Sequence, residues 1–393
     1  MKYEATSMQH APRWLSLVLC LCVLVLVGCG QGQQAGVAGS PAPSPAVQAA
    51  GSPAPSPAVQ EAATPAPSPA QVAEATPAPS PTTGPTATPT LGPDEFRNPV
   101  IDRDFPDPDT LKVDDTYYAY ATNSGGSNVQ IARSTDLVTW ERLPDVLPVL
   151  PLWAAGGFTW APEVTSWNDG ETFTMYFTAR HAESGRQCIG VATSDTPDGV
   201  FEPVDEPFIC QLESGGSIDA AAFEDDDGTQ YVLWKNDGNC CGYAVHIYIQ
   251  EVSDDGLTLQ GEPTELITND QLWEGGLVEA PTLWKQDDRY YLFYSANSFA
   301  GLNYATGYAV AEEPTGPYTK PGDEPFIASD LETGAAFGPG GQDIVVDDEG
   351  DTWMVYHSWD QNLTYRRMMI DELVWEGDTP VLQGPDRVPQ PKP

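Results

Sequence analysis

Five times between residues 105 and 360 the chain repeats one pattern of apolar and polar positions. A small or acidic head leads into a short apolar stretch. An acidic or glycine turn follows, and then a run of aromatic and β-branched residues. The copies are FPDPDTLKVDDTYYAYATN (105–123), WAPEVTSWNDGETFTMYFTAR (160–180), SIDAAAFEDDDGTQYVLWKND (217–237), VEAPTLWKQDDRYYLFYSAN (278–297) and GGQDIVVDDEGDTWMVYHSWD (340–360). Their turns are Asp114-Asp115, Asp169-Gly170, Asp227-Gly228, Asp287-Asp288 and Glu349-Gly350. Two apolar runs around such a turn predict an antiparallel hairpin.

More strand-like runs lie between the copies: VQIARSTDLVTWERL, CIGVATSDTPDGVFEPV, AVHIYIQEVSDDGLTL and TGYAVAEEPTGPYTKP. The repeat recurs roughly every 60 residues, so each period holds about four strands. No long run has helical spacing. Five units of four strands without helices predict an all-β fold, a five-bladed β-propeller. A β-sandwich of this length would need two domains, and no second linker divides the region.

The pattern is absent before residue 94. Lys2 and Arg13 precede an apolar run from Trp14 to Val27, which ends in Leu26-Val27-Gly28-Cys29. That ending resembles the lipobox of bacterial lipoproteins, in which the signal is cut before the cysteine and the cysteine carries lipid. A run of about 14 residues is short of the roughly 20 that a membrane span needs. Residues 1–28 are therefore expected to be a lipoprotein signal peptide and Cys29 the lipidated residue. Residues 29–93 are rich in Pro, Ala and Ser, and SPAPSPAVQ occurs at 40–48 and again at 52–60. Nothing apolar there offsets the entropy of ordering, which predicts a disordered tether. Extended as polyproline II it would reach on the order of 200 Å. Residues 94–393 are left for the propeller. The expected location is outside the cytoplasm, anchored by lipid at a bacterial cell surface, and the expected state is a monomer.

Charge narrows the partners. The chain has 57 Asp and Glu against 17 Lys and Arg, a net charge of −40, and nearly all the acids lie in the propeller region. Such a field repels nucleic acid and anionic substrates and suits neutral or cationic partners. It also keeps an exported protein soluble. After Cys29 the cysteines are Cys188, Cys210, Cys240 and Cys241. An even number in an exported domain suggests disulfides, and four cysteines allow three pairings. Cys188–Cys210 would close a short loop, while the adjacent Cys240 and Cys241 would bridge each other or stay free. Their spacing is not that of a zinc site.

The heads of the repeats carry Asp107, Glu163, Asp219, Glu279 and Asp343. In a propeller the first strand of each blade lines the axis, so these heads converge at one end. A carboxylate at the start of an apolar strand is costly unless it is solvated, paired or used. Several in one funnel push at least one titration upward. A pocket of carboxylates with aromatic walls, and no Lys, Cys or His cluster, suits a metal site or glycoside hydrolysis, in which one carboxyl protonates the leaving oxygen and another activates water. Glu279 sits among Leu277, Val278, Ala280 and Pro281, an apolar setting expected to keep it protonated. Asp107, in Phe-Pro-Asp-Pro-Asp, suits an ionised base.

At these residues the sequence resembles glycoside hydrolase family 43. The resemblance rests on NPVIDRDFPDPDTLKVDDTYYAYAT, SIDA, VEAPTLWKQDDRYYLFYSA and GYAVAEEPTGPY, in this order, and spans 97–385. It implies a five-bladed propeller that acts on arabinans, xylosides or related plant polysaccharides with inversion. It implies Asp107 as general base, Glu279 as general acid and Asp219 as the group that orients the acid and tunes its titration. Asp104 and Asp109 flank the base. Phe158, Trp160 and Trp273 are expected sugar platforms, with core packing as the other reading. Of Arg366 and Arg367, which fall where the family places a pocket arginine, Arg367 is preferred.

One departure stands out. Many members carry a histidine after Gly-Pro-Gly in the fifth blade, tied to a metal or water cluster on the axis, where this chain has Gly341 and then Gln342. That puts a structural calcium in doubt, unless His357 takes the place. No catalytic metal or other cofactor is expected. Asn362-Leu363-Thr364 matches a glycosylation acceptor only by pattern. The expected substrate carries α-L-arabinofuranosyl linkages, with β-xylosides as the alternative. Outside this class stand a non-catalytic sugar-binding lipoprotein and a retaining fructan enzyme, whose carboxyl groups would lie about 5–5.5 Å apart.

Overall fold

A computed structural model describes residues 91–167 and 172–393. The signal segment, Cys29, the tether and the Asp169-Gly170 turn lie outside the described residues. Five antiparallel sheets follow one another along the chain. Blade one comprises Asp109–Val113, Thr116–Ala121, Gln130–Ser134 and Glu141–Arg142; blade two comprises Ala154–Trp167, Thr172–His181, Gln187–Ser194 and Glu202–Pro203. Blade three comprises Ser217–Glu224, Gln230–Asn236, His246–Val252 and Leu259–Thr268. Blade four comprises Val278–Gln286, Arg289–Ala296 and Ala305–Ala311, and blade five Gly340–Val346, Thr352–Trp359, Arg366–Glu376 and Thr379–Leu382. The first strand of each blade packs on the first strand of the next, and blade five packs back on blade one. This is a five-bladed β-propeller. Among the described residues the helical content is three single 3-10 turns, at 212–214, 238–240 and 272–274.

Blade four departs from the expected four strands. Its outer segment is held to Val310 by one bridge at Thr319. Pro314, Pro317 and Pro321 surround that bridge, and proline has no N–H for a longer ladder.

The apolar residues form five clusters, one in each seam between neighbouring blades. Tyr120 and Ile131 of blade one meet Val164, Met175 and Phe177 of blade two. Tyr176 and Ile189 meet Val232 and Trp234, and Leu233 and Ile247 meet Leu283 and Leu292. Tyr291 and Phe293 meet Met354 and Tyr356, and Val355 and Met368 meet Tyr117 and Ala119. A middle strand therefore has both faces covered, which is why YYLFYSA and TMYFTA read as almost unbroken apolar runs rather than alternating ones. The ring closes through the ends of the propeller. Glu95–Phe96 pairs with Gln390–Pro391, and Asn98 brackets Ile370, donating from Nδ2 to its carbonyl at 2.7 Å and accepting its N–H at 3.0 Å.

Disulfides join Cys188 to Cys210 and Cys240 to Cys241.

Candidate active site

Each inner strand begins with the same backbone device. One residue per blade takes positive φ: Asp107 at 53°, Ala161 at 39°, Asp219 at 56°, Ala280 at 48° and Gly341 at 55°. In blades two to five the pairing with the second strand slips at this point. A bulge of this kind re-aims the side chains around it. Four of the five head carboxylates, Asp107, Glu163, Asp219 and Asp343, line one narrow axial cavity, as their convergence on the axis predicts, and Glu279 does not. Asp107, Asp219 and Glu279 line an open cavity of about 420 Å³ together with Thr122, Lys235, Tyr304 and Arg366. The narrow axial cavity, of about 40 Å³, is lined by Asp109, Glu163 and Asp343, and Asp107 and Asp219 border it as well.

At the mouth, every carboxyl has a defined partner. Asp107 accepts from Thr122 Oγ1 at 2.6 Å and from Arg366 Nη1 at 3.0 Å. His357, fully buried, places Nδ1 3.1 Å from Asp107 Oδ1. Burial pushes the Asp107 carboxyl up, but Arg366, His357 and the Thr122 hydroxyl outweigh it and hold it well below the usual carboxylate range. Gly341 makes this packing feasible. A Cβ there would stand 2.7 Å from His357 Nδ1 and 2.8 Å from Asp107 Oδ1, and its φ of 55° already favours glycine.

Glu279 is 9% exposed, but its carboxylate is not in an apolar setting. Lys235, 0% exposed, donates to Glu279 Oε2 at 2.8 Å, and Tyr304 donates its hydroxyl to Oε1 at 2.9 Å. Asp219 Oδ2 accepts the N–H of Ala280 at 3.1 Å, which ties it to the backbone beside Glu279. Burial and the neighbouring Glu279 push Asp219 up to about 8, with Lys235 acting against them.

At the axial level the carboxyls clasp neighbouring blades. Asp109 Oδ2 accepts the N–H of Val164 at 2.8 Å, Glu163 Oε1 that of Ala222 at 2.8 Å, and Asp343 Oδ2 that of Thr110 at 2.7 Å. Thr282 completes the series by donating to the Gln342 carbonyl at 2.6 Å. Burial, with Glu163 and Asp343 nearby, pushes Asp109 well up; burial also raises Glu163 to about 8 and Asp343 to about 7. One oxygen of each of these carboxyls is committed to a backbone amide of the next blade, so the set serves to join blades. Gln342 is also engaged, donating to the Ala280 carbonyl at 2.7 Å and accepting from Ser295 at 2.9 Å. Among the described residues no group of three His, Cys, Asp or Glu is placed to hold a metal ion.

The other residues singled out in the sequence divide. Trp160 lines the cavity. Phe158 lies under Arg180, whose guanidinium carbon is 3.4 Å from the ring centre, and meets the Trp160 ring edge-on at 6.5 Å. Trp273 packs on Tyr294 at 6.0 Å within the seam of blades three and four. Arg366, rather than the expected Arg367, reaches Asp107. Arg367 donates to the Trp359 carbonyl at 2.8 Å and lines a different cavity with Asn98 and Asp360, because neighbours on a strand point to opposite faces. Lys235, Tyr304, Thr122, Phe299 and Cys240 had no sequence signal that placed them here. Only the WKND and SAN ends of two repeats, beside the expected heads, pointed toward this region.

The family model for glycosyl hydrolases family 43 matches residues 96–380. The chain belongs to this family. Family-43 proteins are glycosidases, and so is this one. A beta-D-galactofuranosidase of Aspergillus niger is 28% identical, covering 66% of this chain and 75% of its own. An extracellular endo-alpha-(1->5)-L-arabinanase of Thermotoga petrophila is 29% identical over 55% of this chain, and a xylan 1,3-beta-xylosidase of a Vibrio species 28% identical over 66%. The chain spans 50% and 49% of the length of those two relatives. Among solved structures, a thermostable family-43 glycoside hydrolase superposes with a TM-score of 0.68 at 34% identity, covering 76% of this chain and 99% of that one. An endo-1,4-beta-xylanase from Bacteroides thetaiotaomicron gives 0.64 at 28% identity, with coverages of 76% and 99%. Among the described residues of this family-43 chain no helix is long and apolar enough to cross a membrane.

Proposed function

We propose that the protein is an inverting glycosidase that cleaves α-L-arabinofuranosyl linkages in arabinan or arabinoxylan. Asp107 is the base, Glu279 the acid, and Asp219 the group that orients Glu279 and shares its proton. The observation that carries this reading is the contrast between the carboxyls at the mouth. Asp107 accepts from Arg366 and Thr122, which hold it low, while Asp219 lies beside Glu279, which with burial pushes it up. Such divergent environments are what acid and base roles require.

In the reaction Asp107 takes a proton from water as the water oxygen bonds to the anomeric carbon. The bond from that carbon to the glycosidic oxygen breaks, and this oxygen takes a proton from Glu279. Lys235 and Tyr304 hold the Glu279 carboxyl in position throughout. The Asp219–Glu279 pair supplies the proton as a unit. Arabinose is favoured over xylose by the arabinanase relative, and the xylosidase relative keeps a β-xyloside as the second reading. We also propose a lipid anchor at Cys29, a tether over residues 29–93 and a monomeric propeller over 94–393. The lipobox-like ending at Cys29 and the arabinanase relative's extracellular name support that placement.

The test is to incubate the full chain with linear arabinan, arabinoxylan and xylo-oligosaccharides beside Glu279→Gln. Products are sized, and the anomer released is read by proton NMR. Arabinose or arabino-oligosaccharides of inverted configuration, absent with the variant, are expected. Xylose alone would move the assignment to a β-xylosidase. Retained configuration would remove Asp107 from the role of base, and bound but uncut polymers would leave a sugar-binding protein.

A further inference from the structure

The loop between the second and third strands of blade three reads Asp237-Gly238-Asn239-Cys240-Cys241-Gly242. Its two cysteines are bonded to each other, and Cys240 lines the same cavity as Asp219, Lys235 and Glu279. We propose that the Cys240–Cys241 disulfide is a wall of the sugar site, packing against the C–H face of the pentose whose glycosidic oxygen meets Glu279. This rests on the glycosidase reading above and adds a specificity element to it.

The two disulfides of this chain do different jobs. Cys188–Cys210 spans 22 positions and Cys188 is 0% exposed, as befits a staple between a core strand and the segment beside it. Cys240–Cys241 spans one position. Cross-link stabilisation through the unfolded chain grows with the loop enclosed, so a bridge between neighbours constrains almost nothing. It also faces outward, with Cys240 exposed. Chain stability therefore does not account for it, and its place on the cavity does.

Its chemistry complements the floor of the pocket. Asp107, Asp219, Lys235 and Glu279 offer charged and hydrogen-bonding groups that suit sugar hydroxyls. A pentose also has C–H surface, which needs an apolar contact that does not compete for those hydroxyls. A disulfide has no N–H or O–H to donate, and its sulfurs are polarisable. The bond closes the two side chains and the peptide between them into a ring, so neither side chain has rotamers to lose when sugar binds.

The surroundings hold that ring still. The Gly238 carbonyl accepts the N–H groups of Cys241 and Tyr243, both at 3.0 Å. Asn236 Nδ2 donates to the carbonyls of Ser214 at 3.0 Å and Ala244 at 2.8 Å. A Cβ on Gly238 would stand 2.4 Å from the Ala244 oxygen, so only glycine lets the loop fold this tightly. From blade two, Arg186 lays its guanidinium against both sulfurs, with Nη1 3.1 Å from Cys240 Sγ.

The test compares three forms of the full chain: native, native treated with a water-soluble phosphine, and a Cys240→Ala, Cys241→Ala double variant. The phosphine takes oxygen from one water while each sulfur gains a proton. Alkylation and peptide mapping by mass spectrometry establish that Cys240 and Cys241 have opened while Cys188 and Cys210 remain joined. Binding of arabinotriose is measured by calorimetry with Glu279→Gln added to each form so that the sugar is not cut, and hydrolysis of 4-nitrophenyl α-L-arabinofuranoside is measured with Glu279 intact. Kd and KM are expected to rise about tenfold in the reduced form and the variant, with kcat within about twofold and the thermal midpoint unchanged. Kd and KM within about twofold of native, or a loss confined to kcat, would overturn the inference. A native chain that binds arabinotriose without cutting either sugar would defeat the glycosidase reading alone, and Kd would still decide the role of the disulfide. A native chain that binds neither arabinotriose nor xylotriose would defeat both.

Discussion

Two sets of three carboxyls stand at successive levels of one channel. Asp107, Asp219 and Glu279 line the open cavity and form the upper set, Asp109, Glu163 and Asp343 line only the axial cavity and form the lower, and Asp107 and Asp219 border both. Asp107, half-buried, and Asp109, buried, are two positions apart, yet they titrate in opposite directions. Burial raises both. The difference is the company each keeps. The upper set has a guanidinium on Asp107 and an ammonium on Glu279. The lower set has backbone amides and its own members. An amide hydrogen bond satisfies a carboxyl oxygen, but it does not return the energy lost when a charge leaves water. Carboxyls of the lower set are therefore pushed up and act as clasps between blades. In the upper set Asp107 and Glu279 have cationic partners, while Asp219, pushed up and bonded to the Ala280 amide of the next blade, resembles the lower set and acts beside Glu279.

This contrast breaks most sharply on activity. Glu279→Gln and Asp107→Asn should each lower kcat by about 10³-fold, in the range for removing a general acid or base. Glu163→Gln should leave kcat within about threefold on the same substrate. A comparable collapse with Glu163→Gln would erase the division of labour.

Arg366→Ala sharpens the electrostatic half. Asp107 is depressed in the folded protein, so it remains ionised far into acid. Without the guanidinium its titration moves up, and the acid limb of the kcat/KM profile should shift by about one unit or more toward neutral pH. An unmoved limb would mean that Asp107 is not the base or that Arg366 does not set its charge.

The lower set should show itself in stability. Asp343→Ala leaves the Thr110 N–H without its acceptor, at a cost of about 1–3 kcal/mol in urea unfolding. The pH dependence gives a smaller, signed effect. The folded values of Glu163 and Asp343 are raised to about 8 and about 7. Their contribution is present below the ordinary carboxyl range and is lost as pH rises through the folded values. Stability should thus fall between pH 5 and 9, and Glu163→Gln should flatten that slope, as read from urea midpoints at pH 5, 7 and 9.

Much of the architecture was legible in the residues. The five hairpin copies correspond to the first two strands of the five blades, with Asp114-Asp115 and Asp287-Asp288 as turns. The missing ladder on blade four follows from prolines that the chain displays openly. Asp107, Asp219 and Glu279 were identifiable as heads of repeats and by family resemblance, and they do meet in one cavity. The same reading placed Glu163 and Asp343 among the converging heads, gave Glu163 a structural or hydrogen-bonding role outside the catalytic set, and put Glu279 in an apolar setting. Its error was to treat neighbours in sequence as neighbours in space. Leu277, Val278, Ala280 and Pro281 flank Glu279 along the chain, but its carboxylate faces Lys235 and Tyr304.

Local pattern alone therefore determined the number of blades, the course of the hairpins and the identity of the acidic heads. It could do so because hairpin pairing depends on alternation and turn residues within a few positions of one another. The tertiary structure decided the level at which each carboxyl stands, the choice of Arg366 over Arg367, the arrival of Lys235 beside Glu279 and the exposure of Cys240–Cys241 at the cavity. Those outcomes depend on a bulge that re-aims side chains by one position and on contacts between blades. Lys235 and Glu279 lie 44 positions apart, and Arg366 and Asp107 lie 259 apart. Only closing the ring brings such groups within hydrogen-bonding reach.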